Sequence, residues 1–311
     1  MELEEHKVLL QRRWNVLEHH GKKEWWYTGV YDPESGIYLG ISVIRIALVD
    51  SIQVALYDVS RREPVVVRWK GYLSPKNPPG QLSLQVLGKS FSFDYRGSAA
   101  LGWHCHIQAE GFAADLRMRP NLPAFTKFDN RFDHQYSLLH FFGNTVEGFV
   151  HTRCKEYRFR NALGYYDHCF GKVPSRSRWH WIAVQSAEFS LASLMNYGES
   201  GQCYTQCFSR SGSPRELCDR WMRLDQDVSF EYDTEARFEK PWRLTSPDMD
   251  LDLLVLQHST LRERIPPLLP FLIALDHHEC YVKVRGKLRL DGKWLHTGDL
   301  YGVLEEHHGR W

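Results

Sequence analysis

A surplus of charge is missing from this sequence. Lys and Arg number 39 and Asp and Glu 38 in 311 residues, a formal net charge of +1. No basic block supplies the electrostatic footprint of a nucleic-acid binder, so no nucleic-acid partner is expected. Long apolar runs are also missing: no stretch approaches the roughly 18 uninterrupted apolar residues of a membrane helix, so no stable membrane insertion is expected. The chain opens acidic at Met1-Glu2-Leu3-Glu4-Glu5-His6, without an apolar signal region, which predicts a soluble, cytoplasmic protein. The seven cysteines, Cys105, Cys154, Cys169, Cys203, Cys207, Cys218 and Cys280, form an odd set without a C-x-x-C pair, as in a reducing compartment. Methionine is scarce at 5, against 11 Trp, 15 Tyr and 16 Phe. That balance favours strands and aromatic-lined cavities over helical bundles.

Several catalytic signatures are absent as well. There is no G-x-G-x-x-G after a strand, no G-x-x-x-x-G-K-[ST], no G-x-S-x-G and no H-E-x-x-H. Nucleotide, phosphoryl and ordinary serine-hydrolase chemistry lose their usual supports. Histidine is plentiful: His104 and His106 would share one face of a strand, and His277-His278-Glu279 and Glu305-Glu306-His307-His308 are further donors. No helix sets two His four apart beside a carboxylate, so these read as surface or pocket histidines and no metal is expected.

What is present is a β-rich pattern. The length suits two domains. Leu3, Leu10, Trp14 and Leu17 predict an amphipathic helix over 2–19, ending near Gly21. Short β-rich runs follow at 25–31, 36–48, 51–58, 64–72, 81–87, 90–95, 101–110 and 112–118, separated by Asp-Pro, Ser-Gly and Asn-Pro-Pro-Gly turn chemistry. A longer connection is predicted over 120–135. Strands then resume at 136–142, 145–151, 156–160, 164–170, 179–185, 189–196 and 202–208, with others near 227–234, 241–245 and 250–258. Ser213-Pro214-Arg215-Glu216 predicts a short helix over 214–224. A Pro-punctuated loop covers 265–270, and Asp291-Gly292 predicts a final hairpin. Trp25 to Tyr31 and Trp179 to Gln185 echo one another, as two β units in tandem would. The expected organisation is an N-terminal helix (1–20), a first β domain (21–150) and a second (151–311), with the boundary near 150.

Glu24-Trp25-Trp26-Tyr27, then Gly164-Tyr165-Tyr166-Asp167-His168-Cys169-Phe170-Gly171 followed by Trp179-His180-Trp181, occur in this order. The pair of motifs resembles the lipocalin-like family of carotenoid hydratase, kievitone hydratase and the fungal decalin-forming Diels–Alderases. There E-W-W-Y opens the first β domain, and G-x-x-D-H-x-W-G with W-x-W lies at the junction with the second. Phe170 stands where that family usually has Trp, and His180 where Asp or Asn is more usual. The resemblance spans about 20–311 and implies an all-β fold of two tandem lipocalin-like antiparallel barrels or sandwiches, with a pocket in or between them for a long apolar substrate. It also implies water addition to an isolated alkene or pericyclic cyclisation of a polyene, neither of which needs a redox cofactor or a metal. Members without demonstrated activity leave a lipid or terpenoid carrier as a further reading. A monomer or homodimer binding an apolar small molecule is expected.

Protonating an unactivated alkene requires an acid that is still neutral near pH 7, and an apolar, aromatic site raises a carboxyl pKa in that direction. Asp167, between Tyr165, Tyr166 and Phe170, is the first candidate for that acid. His168 points to the opposite face if the segment is a strand, so it either takes part separately or orients a buried group. Trp25, Trp26, Tyr27, Trp179 and Trp181 could offer ring faces to a developing cation. Glu24 is a second carboxyl near the cavity or the partner of a buried Arg such as Arg45. In the resembled family a glutamate near the chain end can line the pocket, and alternation turns only one of Glu305 and Glu306 inward; Glu305 is taken as the candidate. A pericyclic reaction instead needs one or two donors to a carbonyl, for which Tyr27, Tyr166 and His180 are available. The leading expectation is a cofactor-independent hydratase, cyclase or isomerase. Asp167, His168, Tyr166 and Glu305 carry its chemistry, and Glu24, Trp25, Trp26, Tyr27, Trp179, His180 and Trp181 bind its substrate.

Overall fold

The computed structural model describes residues 23–46, 49–71, 82–87, 90–98, 101–121, 125–130, 136–171, 176–197, 203–209, 220–223, 227–265, 273–290 and 292–310. The described residues contain no helix. Their strands are β1 (Lys23–Asp32), β2 (Ile37–Ile46), β3 (Val49–Tyr57), β4 (Val65–Gly71), β5 (Leu82–Leu87), β6 (Phe91–Ser98), β7 (Gly102–Ala109), β8 (Phe112–Arg119), β9 (Phe125–Asn130), β10 (Tyr136–Thr152) and β11 (Glu156–Gly171). The second half contributes β12 (Arg176–Gln185), β13 (Phe189–Asn196), β14 (Cys203–Ser209), β15 (Arg220–Arg223), β16 (Ser229–Glu231), β17 (Trp242–Ser246), β18 (Met249–Ile265), β19 (Ile273–Leu290), β20 (Lys293–His296) and β21 (Leu300–Arg310). The helix expected over 2–19 and the loop at 266–270 lie outside the described residues. So does most of the helix expected over 214–224, but its residues 220–223 form β15 and pair with β14. Part of the connection expected over 120–135 is a strand too, since β9 pairs with β10.

The strands form two curled antiparallel sheets with the same plan. The first has the order β4-β3-β2-β1-β11-β10-β8-β7-β6-β5, and the second β15-β14-β13-β12-β21-β19-β18-β17-β16. In each, the strand that opens the unit pairs with the strand that closes it: β1 with β11, and β12 with β21. The echo between Trp25-Trp26-Tyr27 and Trp179-His180-Trp181 therefore falls on equivalent strands. The chain divides into two compact units, Met1–Leu56 with Val65–Val173, and Tyr57–Pro64 with Pro174–Trp311. Residue 150 lies inside β10, in the first sheet.

Each unit buries one face of its sheet in a core of its own. The first gathers Trp26, Leu39, Ile52, Phe93, Trp103, Leu116, Phe141 and Tyr166, and the second Ile182, Leu191, Trp242, Leu251, Val282 and Leu304. Strand β7 shows how alternation produces this: Trp103, Cys105, Ile107 and Ala109 are buried, while His104 and His106 stay outside. Those two histidines are half exposed and both bind the Asp115 carboxylate, at 2.9 and 3.2 Å.

The breaks expected at 143–144 and 161–163 are bends within continuous strands. The β10–β11 register shifts between Phe141 and Asn144, at Gly143, and again between Val146 and Gly148, opposite Asn161; Gly143 and Asn161 both take φ of 61°. A bulge of this kind reads as a strand end in sequence, because its residue types are those of turns. At the other end of the chain Leu290 pairs with Lys293 and Gly292 has φ 78°, closing the expected hairpin.

Candidate active site

Strands β1 and β11 carry two of the sequence motifs side by side. Their register sets Glu24 against Phe170, Trp26 against His168, and Tyr27 against Asp167. Alternation then sorts the motif residues onto two faces, both buried.

The interior face holds Glu24, Trp26, Tyr166, His168 and Phe170. His168 Nε2 lies 3.0 Å from Glu24 Oε1, and both side chains are fully buried. The Trp26 ring stacks on the imidazole at 4.9 Å and 9°, and the Phe170 ring packs against it, tilted, at 4.8 Å. Glu24 thus binds a histidine. Tyr166 stacks on Trp103 at 4.6 Å, and its hydroxyl is buried without a hydrogen-bond partner. Burial, with Tyr95, Asp167 and Glu24 nearby, pushes that phenol well above its ordinary range. A cavity bordered by Thr28, Val30, Tyr95, Trp103 and Met118 amounts to about 10 Å³, room for about one water.

The opposite face holds Asp167, Tyr165, Tyr27 and Trp25. Asp167 is 4% exposed. Its Oδ2 accepts a 2.7 Å bond from the Tyr165 hydroxyl, and its Oδ1 has no hydrogen-bond partner. Burial raises this carboxyl from 3.8 to about 7, opposed only in part by the Tyr165 hydroxyl and the backbone of Tyr27. Directly across β10 sits His140, fully buried, which the sequence reading did not single out. No local signal marks it: its place beside Asp167 depends on a register that a bulge resets at the next residues. Phe142 packs on Tyr165 at 4.5 Å. Lys23 begins the same face of β1, and burial lowers its ammonium to about 7.

Tyr27 and Tyr38 share a 3.0 Å hydroxyl contact, made possible by Gly29. A Cβ there would stand 2.1 Å from the Tyr38 oxygen. Gly29→Ala is expected to displace that buried ring at a cost of about 1–3 kcal/mol. Thermal unfolding checks this, and an unchanged Tm would contradict the packing of Tyr38 across Gly29.

The W-x-W motif and the chain end meet in the second unit. Trp179 and Trp181 share one face of β12 with Glu305 and His307 of β21: Trp179 stacks on His307 at 3.7 Å, and its Nε1 lies 3.4 Å from Glu305 Oε2. His180 and Glu306 take the interior face. Of the two glutamates, Glu306 points inward and Glu305 pairs with the Trp179 side. His180 Nδ1 is 2.8 Å from the Tyr197 hydroxyl, and Nε2 is 3.7 Å from Glu306 Oε1. Arg237 Nη1 reaches Glu306 Oε2 at 3.2 Å, and the Tyr232 hydroxyl donates to Oε1 at 3.2 Å. Burial alone would raise the Glu306 carboxyl, but His180, Arg237 and Tyr232 outweigh it and hold the group below its ordinary value.

The family profile of a domain of unknown function, DUF2804, matches residues 6–311. The chain belongs to the DUF2804 family. No curated protein matches it in sequence. Among solved structures, an AttH candidate from Nitrosomonas europaea is similar with a TM-score of 0.65 and 14% identity over 93% of both chains. Kievitone hydratase from Nectria haematococca is similar with a TM-score of 0.63 and 11% identity, over 92% of this chain and 88% of that one. At such identities the likeness is one of fold. This DUF2804 chain therefore shares the fold of these two structures, and its chemistry rests on its own residues.

Proposed function

We propose that the protein is a cofactor-independent lyase of the hydratase type, adding water to or removing it from an isolated carbon–carbon double bond of an apolar substrate, with Asp167 as the general acid. The observation that carries this reading is the Asp167 carboxyl itself: buried, raised to about 7, bound through one oxygen to Tyr165 and free of hydrogen bonds at the other. Such a group still holds a proton at neutral pH and has an oxygen available to pass it on. In the proposed step the alkene π pair takes the proton from Asp167, leaving a carbocation. A water lone pair then forms the C–O bond, and the proton that this water loses returns to the Asp167 carboxylate.

The neighbouring rings of Tyr27, Tyr165 and Phe142 suit a developing cation, each aromatic face contributing about 0.5–2 kcal/mol. The reaction is assigned to this face of β11 because Asp167 stands on it, whereas the interior face packs Trp26, Tyr166 and Phe170 into the core. His168 and Glu24, on the interior face, are assigned a positioning role through β11. Tyr166 packs in the same core.

Incubation with isoprenoid alkenes and prenylated phenols in D2O tests the reading. Expected is a product gaining one water, with deuterium on carbon, formed at a rate that falls as pH rises through about 7, since the acid form of Asp167 is the active one. Turnover without deuterium on carbon would point to a pericyclic reaction, and stoichiometric binding with the ligand recovered unchanged would point to a carrier.

A further inference from the structure

The second unit holds a group of polar side chains that the proposed hydratase step does not use. One rung of the sheet crosses β12, β21, β19 and β18 as His180, Glu306, His278 and Thr260, all on the interior face. Below that rung the same strands carry Ile182, Leu304 and Cys280, members of the apolar core. The rung is thus the level at which the core gives way to polar groups. It remains buried, with His180, Glu306 and His278 at 1%, 7% and 5% exposure. Trp242, Tyr232 and Phe230 pack around the His180 ring at 5.3, 5.5 and 5.1 Å.

Two features point to a ligand. His180 Nε2 and Arg237 Nε are buried without a hydrogen-bond partner, and both residues lean on the same carboxylate, Glu306. An unsatisfied buried donor favours an added acceptor oxygen. Glu306 Oε2 also lacks a hydrogen bond beyond its ion pair with Arg237, so this carboxylate does not satisfy both donors. Charge favours an anionic one. Arg237 pairs with Glu306, and Arg178 lies 4.8 Å over the Tyr197 ring and hydrogen-bonds the Tyr232 hydroxyl, so two guanidiniums border a cluster whose inward carboxylate is Glu306; Asp276 is already paired with Arg262 and His278. The Arg237 side chain is 35% exposed, so it reaches from the buried cluster to solvent.

We propose that this end of the second sheet binds an organic carboxylate, with Arg237 and His180 Nε2 as its donors, the Trp242 and Phe238 rings against its apolar part, and Glu306 as the internal carboxylate with which it competes for Arg237. The site lies in the second unit and Asp167 in the first, so it does not rest on the hydratase reading.

Titration of the whole protein with octanoate and benzoate, followed by calorimetry, tests this, with octanol and benzamide as uncharged controls. At least one carboxylate is expected to bind saturably while its control does not. Affinity should fall at least tenfold in Arg237→Met and several-fold in Arg237→Lys, which keeps the charge but loses the guanidinium fork. It should rise in Glu306→Gln, which removes the competitor, and stay unchanged in Asp167→Asn. A merely structural role for Glu306 would give no such gain. Absence of binding by both carboxylates, equal binding of the controls, or affinity untouched by Arg237→Met in a folded variant would overturn the proposal.

Discussion

Asp167→Asn is expected to inactivate the protein while making it more stable at alkaline pH. The loss of activity is that of a general acid, about 10²–10⁴-fold in kcat. The gain in stability follows from linkage. In the unfolded chain this carboxyl ionises near 3.8, and in the folded protein near 7. Between those values the folded state holds a proton that the unfolded state has given up. The stability contributed by that proton is complete below the unfolded value and is lost as pH rises through about 7. Asparagine keeps an oxygen for the Tyr165 hydroxyl and never ionises. Denaturant unfolding should therefore show variant and parent alike near pH 4. At pH 8 the variant should lead by up to about 3–4 kcal/mol, the worth of a shift of this size. A variant that is inactive but less stable at pH 8 would mean that Asp167 is an ionised structural carboxylate.

The interior face of the same strands should respond in the opposite way. His168→Leu leaves Glu24 buried without this imidazole, and stripping a buried polar group of its partner costs about 1–3 kcal/mol, more where the group is charged. Thermal unfolding should fall on the order of 10 °C for a unit of this size. Glu24→Ala should cost a similar amount, and the double variant Glu24→Met with His168→Phe should recover most of it, because an apolar pair of matching volume suits a site already enclosed by Trp26 and Phe170. Additive losses in the double variant would show that Glu24 and His168 act separately. Under the proposed reading this contrast would separate chemistry from scaffolding along one strand, with Asp167 as the acid and its neighbour His168 packing β11 against β1.

How much of this was legible in the sequence depends on how local the cause is. Alternation is local, so the runs at 25–31, 51–58, 101–110 and 189–196 coincide with β1, β3, β7 and β13, and the opposed directions of Asp167 and His168 follow from period two. The tandem plan was legible because β1 and β12 carry similar aromatic residues at equivalent places. Pairing is not local. His168 meets Glu24 across 144 positions, and Arg45, the partner weighed for Glu24 from sequence, was as reasonable a choice on residue type. His140 comes opposite Asp167 only through the register of two long strands, which turn-like residues at Gly143 and Asn161 made to look like four short ones. The choice between Glu305 and Glu306 turned on a single residue of register in β21. Arg237 lies between strands β16 and β17, where no periodicity operates, so its approach to Glu306 left no mark on the sequence.

The central claim is that Asp167 is a carboxylic acid still protonated near neutral pH. Infrared difference titration of the folded protein measures this directly, with Asp167→Asn identifying the band. A protonated carboxyl stretch that persists above pH 6, disappears with a midpoint near 7 and is missing in the variant is the predicted result. Loss of the Asp167 band with a midpoint near 4, as for an ordinary carboxylate, would contradict it and remove the acid from the proposed reaction.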